Sequence, residues 1–437
     1  MSAEPLQLGL IGVGNVGTGV AKILLNHPDR ITRRSGRPVV IRRAVVRDLS
    51  KPRDLALPAG VLTDDVQAVI RDPEIKVAVE LMGGIHPARE VVLELLKAGK
   101  DVVTANKALL CEHGDEIFQL ARELGRTVAF EAAVAGGIPI IAAVGQSMAA
   151  NQIVGIQAIL NGTSNYILSE MLLRGQTYAD ALRGAQELGY AEADPALDVN
   201  GTDAAQKLGI LAQLSFGTKV PLSEFHCSGI DKLEQADIEY AGDLGYTIKL
   251  LASARLVEGR LELSVRPTLI RRDRALAMTH GPFNAILLDG DVVGSVWYSG
   301  RGAGQDPTAS AVTADIIDMA IGRAQLTFSR LDLWGESAGF PIAPLEETAS
   351  RFYLRLAVDD RPHVMADITD ILGRNNISLA SVIQREAPEV EGDSPTPVVP
   401  LVIMTHRTKT GQLQAAEAAL HKLGSVKYPW TVLAVAD

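Results

Sequence analysis

Apolar residues in the first third of the chain recur in short runs that alternate with longer amphipathic segments. Short apolar runs are typical of buried strands, and the intervening segments repeat apolar residues at helical spacing. The predicted strands are Leu6–Val13, Val39–Val46, Val77–Leu81, Asp101–Thr104 and Thr127–Phe130. The predicted helices run from the first strand to Leu25, over Pro87–Ala98 and over Leu109–Leu124. This order predicts an α/β domain with a doubly wound parallel sheet.

From Ile153 the pattern becomes richer in strands, several of which alternate as in an antiparallel sheet with one covered face. The predicted strands are Val154–Leu160, Lys249–Leu256, Arg260–Pro267 and Ala285–Asp289, and the predicted helices are Asn165–Arg174, Tyr178–Leu188 and Ala309–Ile321. We expect an α+β domain whose sheet also supplies a subunit interface. The last of these helices is expected to return to the first domain.

A segment with two prolines, Pro341 and Pro344, separates these elements from a third pattern. There the predicted strands are Arg351–Val358, Asn376–Gln384, Val398–Thr405 and Trp430–Val435, and the helices are Pro362–Arg374 and Gly411–Leu423. The order βαββαβ predicts a ferredoxin-like unit, with Glu386–Pro397 as an acidic hairpin loop. The predicted domains are 1–135 (completed by a helix at about 305–330), 136–304, a linker at 331–349, and 350–437.

Composition narrows the class of protein. The net charge of −10 over 437 residues argues against a nucleic-acid surface, since no basic patch is interleaved with aromatic residues and the Arg-rich segment Arg30–Arg43 is local. Cys111 and Cys227 are too few for a disulfide scaffold or a zinc site and fit a reducing compartment. No apolar run reaches membrane-spanning length, and the N-terminus lacks the features of a signal peptide. We therefore expect a cytoplasmic protein.

A glycine motif follows the first strand and opens the first helix. It reads Gly12, Val13, Gly14, Asn15, Val16, Gly17, which is the G-x-G-x-x-G spacing in the strand–turn–helix context that gives it meaning. Glycines let the backbone approach a pyrophosphate, whose charge faces the helix N-terminus. The motif predicts a Rossmann-type dinucleotide site, and the alternative is an ordinary glycine turn of another α/β protein.

Residues at the ends of the next strands indicate which dinucleotide binds. Arg47 follows the second strand and could pair with a 2′-phosphate, which favours NADP(H), whereas the neighbouring Asp48 keeps NAD(H) possible. Thr104 and Lys107 follow the fourth strand. Ligands of open parallel sheets bind outside the carboxyl ends of the strands, so Lys107 is expected at the cofactor crevice.

Three further turns carry ligand-binding chemistry. Glu131 is followed by small residues and glycines with accessible carbonyl groups, an oxygen set suited to a monovalent cation, Na⁺ or K⁺. The polar turn Asn161–Asn165 could form a nest for a carboxylate, and Ser299–Gly304 is a second glycine turn before a helix. For the segment after Glu131, the alternative is a plain turn.

The stretch Gly189–Lys207 combines several carboxylates with a candidate catalytic lysine. Glu192, Asp194 and Asp198 come before a predicted helix that carries Asp203 and, at the end of the stretch, Lys207. Asp203 and Lys207 are four residues apart and share a helix face. Such a cluster suits a small cationic substrate whose oxygen gains or loses a proton, although the pair alone could be a surface ion pair.

Together these segments resemble homoserine dehydrogenase over the whole chain. The segments are GVGNVG, TANK, EAAVAGGIP, NGTSNY, GYAEADPALDVNGTDAAQK and GRGAG. The resemblance implies NAD(P)-dependent interconversion of L-aspartate 4-semialdehyde and L-homoserine in threonine, methionine and isoleucine biosynthesis. The rivals are another dehydrogenase on the same fold and a catalytically silent nicotinamide sensor.

The resemblance also implies roles for individual residues. Lys207 matches the family's general acid/base and Lys107 a second catalytic lysine, with the proton transfer not assigned to one of them. Glu192 and Asp203 match the homoserine-binding carboxylates, and Asp198, Gly162 and Thr163 complete the predicted substrate set. The cation site falls on Glu131 and the carbonyl groups of Val134, Gly136 and Ile138. The predicted cofactor set is the first glycine motif, Arg47, Thr104, Lys107, Gly302 and Gly304.

The C-terminal unit resembles an ACT domain, which in this family implies feedback inhibition by an amino acid such as threonine. The usual glycine of its Asp-x-Pro-Gly turn is replaced by His363. Histidine disfavours backbone conformations that glycine permits, so effector binding at this loop is an open expectation. We expect a homodimer or a homotetramer.

Overall fold

The structure is a computed structural model that describes residues 4–335, 339–384 and 397–436. The chain forms two compact units. Unit 1 comprises Met1–Ile156, Asp203–Phe225 and Asn284–Phe340, and unit 2 comprises Gln157–Thr202, His226–Phe283 and Pro341–Asp437. The expected acidic loop, except for Pro397, and part of the expected linker lie outside the described residues. The domain boundaries expected from the sequence stay a prediction.

The elements follow one another in the order expected for mixed α and β structure. The strands are β1 (Leu6–Ile11), β2 (Val39–Val45), β3 (Leu62–Thr63), β4 (Ile75–Glu80), β5 (Asp101–Thr104), β6 (Val128–Ala129), β7 (Ile153–Ile159), β8 (His226–Cys227), β9 (Tyr246–Val257), β10 (Arg260–Arg271), β11 (Phe283–Gly290), β12 (Gly294–Arg301), β13 (Ala349–Asp359), β14 (Leu379–Gln384), β15 (Val398–Thr405), β16 (Thr408–Lys409) and β17 (Val426–Ala436).

The helices alternate with these strands in unit 1 and flank them in unit 2. They are α1 (Asn15–Asn26), α2 (Pro28–Ser35), α3 (Gln67–Ile70), α4 (Ala88–Lys97), α5 (Lys107–Glu123), α6 (Ile140–Ala142), α7 (Gly162–Arg174), α8 (Tyr178–Glu187), α9 (Ala196–Val199), α10 (Thr202–Phe216), α11 (Gln235–Asp243), α12 (Gln305–Ala320), α13 (Arg323–Phe328), α14 (Val364–Arg374) and α15 (Thr410–Leu420).

Unit 1 contains a parallel sheet in the order β3-β2-β1-β4-β5-β6, which confirms the predicted Rossmann-type fold. Its strands are apolar because both faces are covered: Leu8 and Val79 belong to the same buried cluster as Val312 of α12. Helix α12 packs closely on α1, since a Cβ added at Gly19 would lie 2.9 Å from the Cβ of Ala309. The returning helix therefore covers the sheet, and the carboxyl ends of β1, β2, β4 and β5 lie at one edge.

Unit 2 contains strands in the order β9-β10-β17-β13-β15-β14. The C-terminal order β13-α14-β14-β15-α15-β17 confirms the ferredoxin-like unit. Its helices bury Ile368 and Leu413 against inward residues of the strands such as Leu354. Strand β17 also pairs in parallel with β10, where Thr268 lies opposite Ala434. The ferredoxin-like unit, which is the C-terminal part of unit 2, therefore shares one sheet with β9 and β10.

Several boundaries differ from the sequence-based expectation. Helix α5 begins at Lys107 rather than Leu109, and α7 begins at Gly162 rather than Asn165. In both cases an asparagine one residue earlier caps the helix, since Asn106 Oδ1 accepts from Leu109 N and Asn161 Oδ1 accepts from Ser164 N. Strand β12 was not predicted because its positions are exposed or half-buried and none is buried.

The turn before α14 adopts a backbone conformation that glycine permits and histidine disfavours. His363 has φ 72°, in the left-handed region, and immediately precedes the helix. A histidine here occupies a backbone position that glycine takes more easily, at a cost of about 1–3 kcal/mol. In the described part of the chain, no helix is both long and apolar enough to cross a membrane.

Candidate active site

Two lysines share one carboxylate in unit 1. The Nζ atom of Lys207 lies 2.7 Å from Oδ2 of Asp203, and the Nζ atom of Lys107 lies 3.2 Å from Oδ1 of the same carboxylate. Asp203 is buried, with 8% of its surface exposed. The Lys107 side chain is 35% exposed and the Lys207 side chain 11%. The cluster can hold two ammonium groups beside a reacting oxygen atom, and it is too buried to be only a surface ion pair.

The start of α10 fixes this arrangement. Asp203 lies in the first turn of the helix, where the helix dipole stabilises a negative charge. Lys207 is one turn later on the same face, as the spacing predicted. Asn200 Oδ1 accepts a hydrogen bond from the N–H of Thr202 at 2.9 Å and so orders the turn that leads into the helix.

A buried network positions Lys107 at the end of β5. Glu80, at the end of β4, is fully buried, and its Oε2 accepts a hydrogen bond from Thr104 Oγ1 at 2.7 Å. Thr104 Oγ1 in turn accepts from Asn106 N at 3.0 Å, and the Asn106 side chain donates to Gly84 O at 2.6 Å. The backbone from which Lys107 projects is therefore held to two neighbouring strand ends.

Glu80 and Asn106 were missed as positioning residues in the sequence. The signal for Glu80 was a single carboxylate in the apolar run VAVEL, since a charged residue in a buried strand must be paired or hydrogen-bonded. The signal for Asn106 was an asparagine, a preferred N-cap residue, shortly before the predicted helix Leu109–Leu124. Thr104, expected near the cofactor, has its hydroxyl group occupied by this network.

The glycine motif forms the tight turn expected of a dinucleotide site. Gly12 has φ 99°, and a Cβ there would lie 2.5 Å from Leu81 O. A Cβ at Gly17 would lie 2.0 Å from Gly12 O, so a larger residue would separate the helix from the strand. Gly14 has open space around its missing side chain and precedes α1 without a side-chain cap. The first N–H groups of α1, from Asn15 onward, can therefore face an anion.

The residues expected to select the cofactor lie beyond β2. Arg47 is exposed. Asp48 is also exposed, and its Oδ1 accepts hydrogen bonds from the backbone N and the Oγ of Ser50, which lower the pKa of the Asp48 carboxyl. One oxygen of the carboxylate that could bind ribose hydroxyl groups is thus already engaged.

The second glycine turn leads from β12 into α12. Gly302 packs against Asn284, where a Cβ would lie 2.0 Å from Nδ2, and a Cβ at Gly136 would lie 2.6 Å from Gly302 O. Gly304 has φ 116°, which only glycine adopts easily. Gln305 then donates to Asn15 O at 2.9 Å, so α12 begins beside the start of α1. This places Gly304 near the first glycine motif.

The expected cation site contains two buried carboxyl groups. Burial raises the pKa of Glu131 to about 7, although its two oxygens accept hydrogen bonds from Ile141 N at 2.9 Å and Ala142 N at 2.8 Å. Asp315 Oδ2 accepts from Glu131 N at 2.9 Å, and burial, together with the Glu131 charge, raises the pKa of Asp315 well above its ordinary value. Because the charge of Glu131 opposes ionisation of the buried Asp315 carboxyl group, a cation nearby would stabilise the ionised forms.

The backbone beside Glu131 fits a hard cation as well. Ala135 and Gly136 have φ 55° and φ 45°, so the chain bends sharply between Val134 and Ile138. Each carboxylate oxygen of Glu131 has a second lone pair, and carbonyl oxygens are ligands that hard cations accept. Among the described residues, no group of three or more His, Cys, Asp or Glu side chains is arranged to hold a metal. A cation here would depend on backbone oxygens.

In unit 2, the expected substrate turn is well ordered by neighbouring segments. Thr163 Oγ1 donates to Tyr190 O at 2.7 Å, and Asn161 Nδ2 donates to Asp198 Oδ1 at 2.8 Å. Gly162 packs so closely that a Cβ would lie 2.9 Å from Pro282 O. The structure thus brings Gly162, Thr163 and Asp198 to the same part of unit 2.

The other acidic residues of unit 2 have different surroundings. Glu192 is exposed, and its backbone carbonyl accepts a hydrogen bond from Gln186 Nε2 at 3.2 Å. Asp194 Oδ1 accepts from Ala196 N at 3.1 Å and so stabilises the turn before α9. Of these two carboxylates, Asp194 has a local structural role and Glu192 projects to solvent.

The cysteines lack the environment of a catalytic nucleophile. Burial raises the pKa of Cys111 to about 12, and its Sγ donates to Gln206 O at 3.0 Å. Burial also raises the pKa of Cys227. The thiolate is the reactive form, so these environments disfavour the acylating semialdehyde chemistry that a cysteine would perform.

Comparisons with known proteins agree with this geometry. Residues 12–131 match the family model "Homoserine dehydrogenase, NAD binding domain", residues 139–317 match "Homoserine dehydrogenase", and residues 352–425 match "ACT domain". A homoserine dehydrogenase of Pseudomonas aeruginosa is 44% identical over 430 residues, which cover 98% of both chains.

Two solved structures extend the comparison. A homoserine dehydrogenase from Thiobacillus denitrificans is 42% identical with a TM-score of 0.91, and the match covers 100% of this chain and 99% of that one. A hyperthermophilic archaeal homoserine dehydrogenase in complex with NADPH is 26% identical with a TM-score of 0.62. That match covers 73% of this chain and 98% of the archaeal chain.

Proposed function

Because this chain belongs to the homoserine dehydrogenase family and is an oxidoreductase, we propose that Lys207, Lys107 and Asp203 are its reaction centre. The reaction is the interconversion of L-aspartate 4-semialdehyde and L-homoserine with NADP(H) or NAD(H). The observation that carries the proposal is the sharing of one buried carboxylate by two lysines, at 2.7 and 3.2 Å.

The lysines supply proton transfer at the substrate oxygen. A bound nicotinamide cofactor would supply the hydride acceptor for homoserine oxidation and the hydride donor for aldehyde reduction. In oxidation, a lysine must take the proton of the hydroxyl group as hydride leaves; in reduction, it returns that proton to the carbonyl oxygen. The lysine that takes the proton does so as a neutral amine, and Asp203 holds both lysine nitrogen atoms in place. Lys207 and Lys107 both remain candidates for the transfer.

Carboxylates and a polar turn bind the two ends of the substrate. We assign the α-ammonium group to Glu192 and Asp203, with Asp198 contributing negative charge, because carboxylates stabilise a cation. The turn with Gly162 and Thr163 is assigned to the substrate carboxylate, since its ordered backbone at the start of α7 can present N–H groups to an anion.

NADP(H) is the favoured cofactor and NAD(H) an alternative. The glycine motif from Gly12 to Gly17 would hold the pyrophosphate, with Gly302 and Gly304 completing the site. The exposed Arg47 is available to a 2′-phosphate, whereas Asp48 is partly engaged by Ser50. The archaeal relative bound to NADPH supports the same preference.

A monovalent cation, Na⁺ or K⁺, is assigned to Glu131 and the carbonyl groups of Val134, Gly136 and Ile138. The support is the buried Glu131–Asp315 pair and the sharp bend at Gly136. The cation would neutralise the pair and fix a segment whose Gly136 touches Gly302 of the predicted cofactor set. Activity in Na⁺ and K⁺ salts against a tetramethylammonium control tests this role.

Regulation and assembly are proposed from the C-terminal unit. It matches the ACT model, and we propose that an amino acid such as threonine binds there and inhibits the enzyme, as expected in threonine, methionine and isoleucine biosynthesis. A homodimer or homotetramer and a cytoplasmic location complete the proposal. Sedimentation velocity with and without threonine measures the assembly.

The deciding experiment is oxidation of L-homoserine, followed by the absorbance of the reduced cofactor, with NADP and NAD in parallel. We expect turnover with both and a larger kcat/KM with NADP. A folded protein that binds the cofactors but oxidises no homoserine would contradict the proposed reaction and favour a silent sensor. Threonine added to each assay tests the regulatory part separately.

A further inference from the structure

The polar turn at the start of α7 is fastened to the segment Thr279–Phe283 by one buried amide group. Asn165 Nδ2 lies 3.1 Å from Thr279 O, 2.8 Å from Gly281 O and 3.2 Å from Phe283 O. Ser169 Oγ, one helical turn along α7, accepts a hydrogen bond from Gly281 N at 2.9 Å. The segment therefore follows the helix start closely.

A lysine completes this contact from the neighbouring strand. Lys249 on β9 is almost fully buried, with 1% of its surface exposed. Its Nζ donates to Asn165 Oδ1 at 2.9 Å and to Thr279 O at 2.5 Å. No acidic side chain forms an ion pair with Lys249 within the ranges that the structure describes. One amine thus joins the strand, the helix and the segment Thr279–Phe283.

We propose that Lys249 is a positioning residue for substrate binding. By joining Asn165 to Thr279, it fixes Pro282 against Gly162 and so sets the position of the turn that carries Gly162 and Thr163. The inference rests on the proposed function, in which this turn binds the substrate carboxylate. Lys249 itself lies within the core and acts through Asn165 and the segment Thr279–Phe283.

The chemistry around Lys249 indicates that this residue does more than fill space in the core. Burying an amine costs free energy that an apolar side chain of similar length would avoid. Burial lowers the pKa of Lys249 to about 7, and a neutral amine has two N–H groups for the two acceptors present. His280 is a titratable neighbour of Lys249, since burial together with the charge of Lys249 lowers the pKa of His280.

The test compares Lys249→Met with Ser169→Ala and with Lys232→Met as the matched control, since Lys232 is exposed. Initial rates of L-homoserine oxidation at saturating cofactor give KM and kcat, and fluorescence of NADPH gives the cofactor Kd. We expect Lys249→Met to raise the KM for homoserine at least about tenfold while the cofactor Kd stays within about twofold. Ser169→Ala, which removes the hydrogen bonds of Ser169 Oγ with Gly281 N and with Asn165 O but leaves Lys249 in place, should raise KM by roughly two- to fivefold.

We also expect the KM of the wild type to depend on pH near neutrality and the KM of Lys249→Met not to. A purely structural role of Lys249 does not predict this difference. If Lys249→Met fails to fold, the KM of Ser169→Ala still shows whether the position of the segment Thr279–Phe283 affects homoserine binding. Wild-type KM values in the folded variants would overturn the inference while the proposed reaction stands. Thr163→Ala with unchanged KM would overturn the assignment of the turn itself, and with it the inference.

Discussion

Asp203 joins Lys107 to Lys207, since the Nζ atom of Lys107 lies 3.2 Å from Oδ1 and that of Lys207 lies 2.7 Å from Oδ2. Lys207 comes from the same helix as Asp203, whereas Lys107 comes from the end of a strand of the dinucleotide-binding sheet. A single carboxylate thus determines the positions of two potential proton donors. The consequence is that the two lysines should not act independently.

Replacement of Lys207 by alanine should lower kcat at least about a hundredfold, because general acid–base catalysis contributes about 10²–10⁴ to the rate. The cofactor Kd should barely change. Lys107→Ala and the double variant complete a cycle that measures the coupling between the lysines. We expect the double variant to lose less than the product of the single losses, since both lysines serve one step.

The exposed Lys232 supplies the control, because Lys232→Ala should retain wild-type turnover. Wild-type turnover in Lys207→Ala would remove Lys207 from proton transfer. Circular dichroism melting of each variant excludes loss of the fold, which is needed since Asp203 is buried.

Replacement of Arg47 by alanine should lower kcat/KM with NADP by about tenfold or more and with NAD by less than about twofold. A hydrogen bond to a charged group contributes about 1.5–3 kcal/mol, and only NADP carries the 2′-phosphate. Arg34→Ala, an exposed arginine on α2, is the control. Equal losses with both cofactors would show that Arg47 does not distinguish them.

The sequence predicted those parts of the site whose residues lie close together along the chain. The glycine motif and the pair Asp203–Lys207 lie within one turn or one helix, so their geometry follows from the chain itself. The contact of Lys107 with Asp203 depends on how α10 packs within unit 1, and its expected place beside Lys207 came from the family resemblance. The network Glu80–Thr104 likewise joins different strands.

The sequence also predicted those parts of the fold that depend on local patterns of apolar residues. Apolar runs identified the parallel strands, whereas β12 was missed because none of its positions is buried and its sequence GSVWYSGR does not alternate between polar and apolar residues. The pairing of β17 with β10 also could not be predicted, since strand order within a sheet is a long-range property. The buried Lys249 gave no sequence signal, because a lysine in a strand is usually on its exposed face.

Replacement of Arg355 by methionine should destabilise unit 2 by about 3–5 kcal/mol. Asp237 on α11 is fully buried, and its oxygens lie 2.6 Å from Arg355 Nε and 3.0 Å from Nη2. Loss of the guanidinium leaves this carboxylate in the core without its cation. Chemical unfolding followed by circular dichroism measures the shift of the transition.

Two further variants separate the ion pair from general effects at this position. Arg355→Met combined with Asp237→Leu should regain most of the lost stability, because the uncompensated charge is gone. Arg374→Met breaks an exposed pair with Asp370 at 2.8 Å and should cost less than about 1 kcal/mol. Equal effects of Arg355→Met and Arg374→Met would contradict the assigned role of the buried pair.

Replacement of His363 by glycine should lower the threonine concentration for half-inhibition at least about tenfold, equivalent to about 1.4 kcal/mol. His363 already has φ 72°, which glycine adopts without steric cost, and the change removes a bulky side chain from the turn. The control is Asn376→Gly, a second left-handed position of the same unit, with φ 56°. An unchanged threonine response in His363→Gly would show that the imidazole does not limit effector binding.

Replacement of Lys249 by methionine should remove a pH dependence of stability between about pH 7 and 10. Burial lowers the pKa of Lys249 from 10.5 to about 7, so at pH values between these limits the unfolded chain binds a proton that the folded chain does not. The cost of the buried ammonium is therefore complete below pH 7 and disappears as the pH rises toward 10.5, a gain on the order of a few kcal/mol.

The difference in melting temperature between the wild type and Lys249→Met reports mainly on this group, because the other group whose pKa the substitution changes, His280, has its pKa lowered by burial and by Lys249. His280 titrates below its ordinary pKa of 6.5 and so contributes on the acidic side of the window. We expect the wild type to gain stability relative to Lys249→Met as the pH rises from 7 to 9.5. Lys232→Met, with an exposed lysine, should track the wild type throughout. A difference that stays constant over this range would mean that Lys249 is charged in the folded protein at all these pH values.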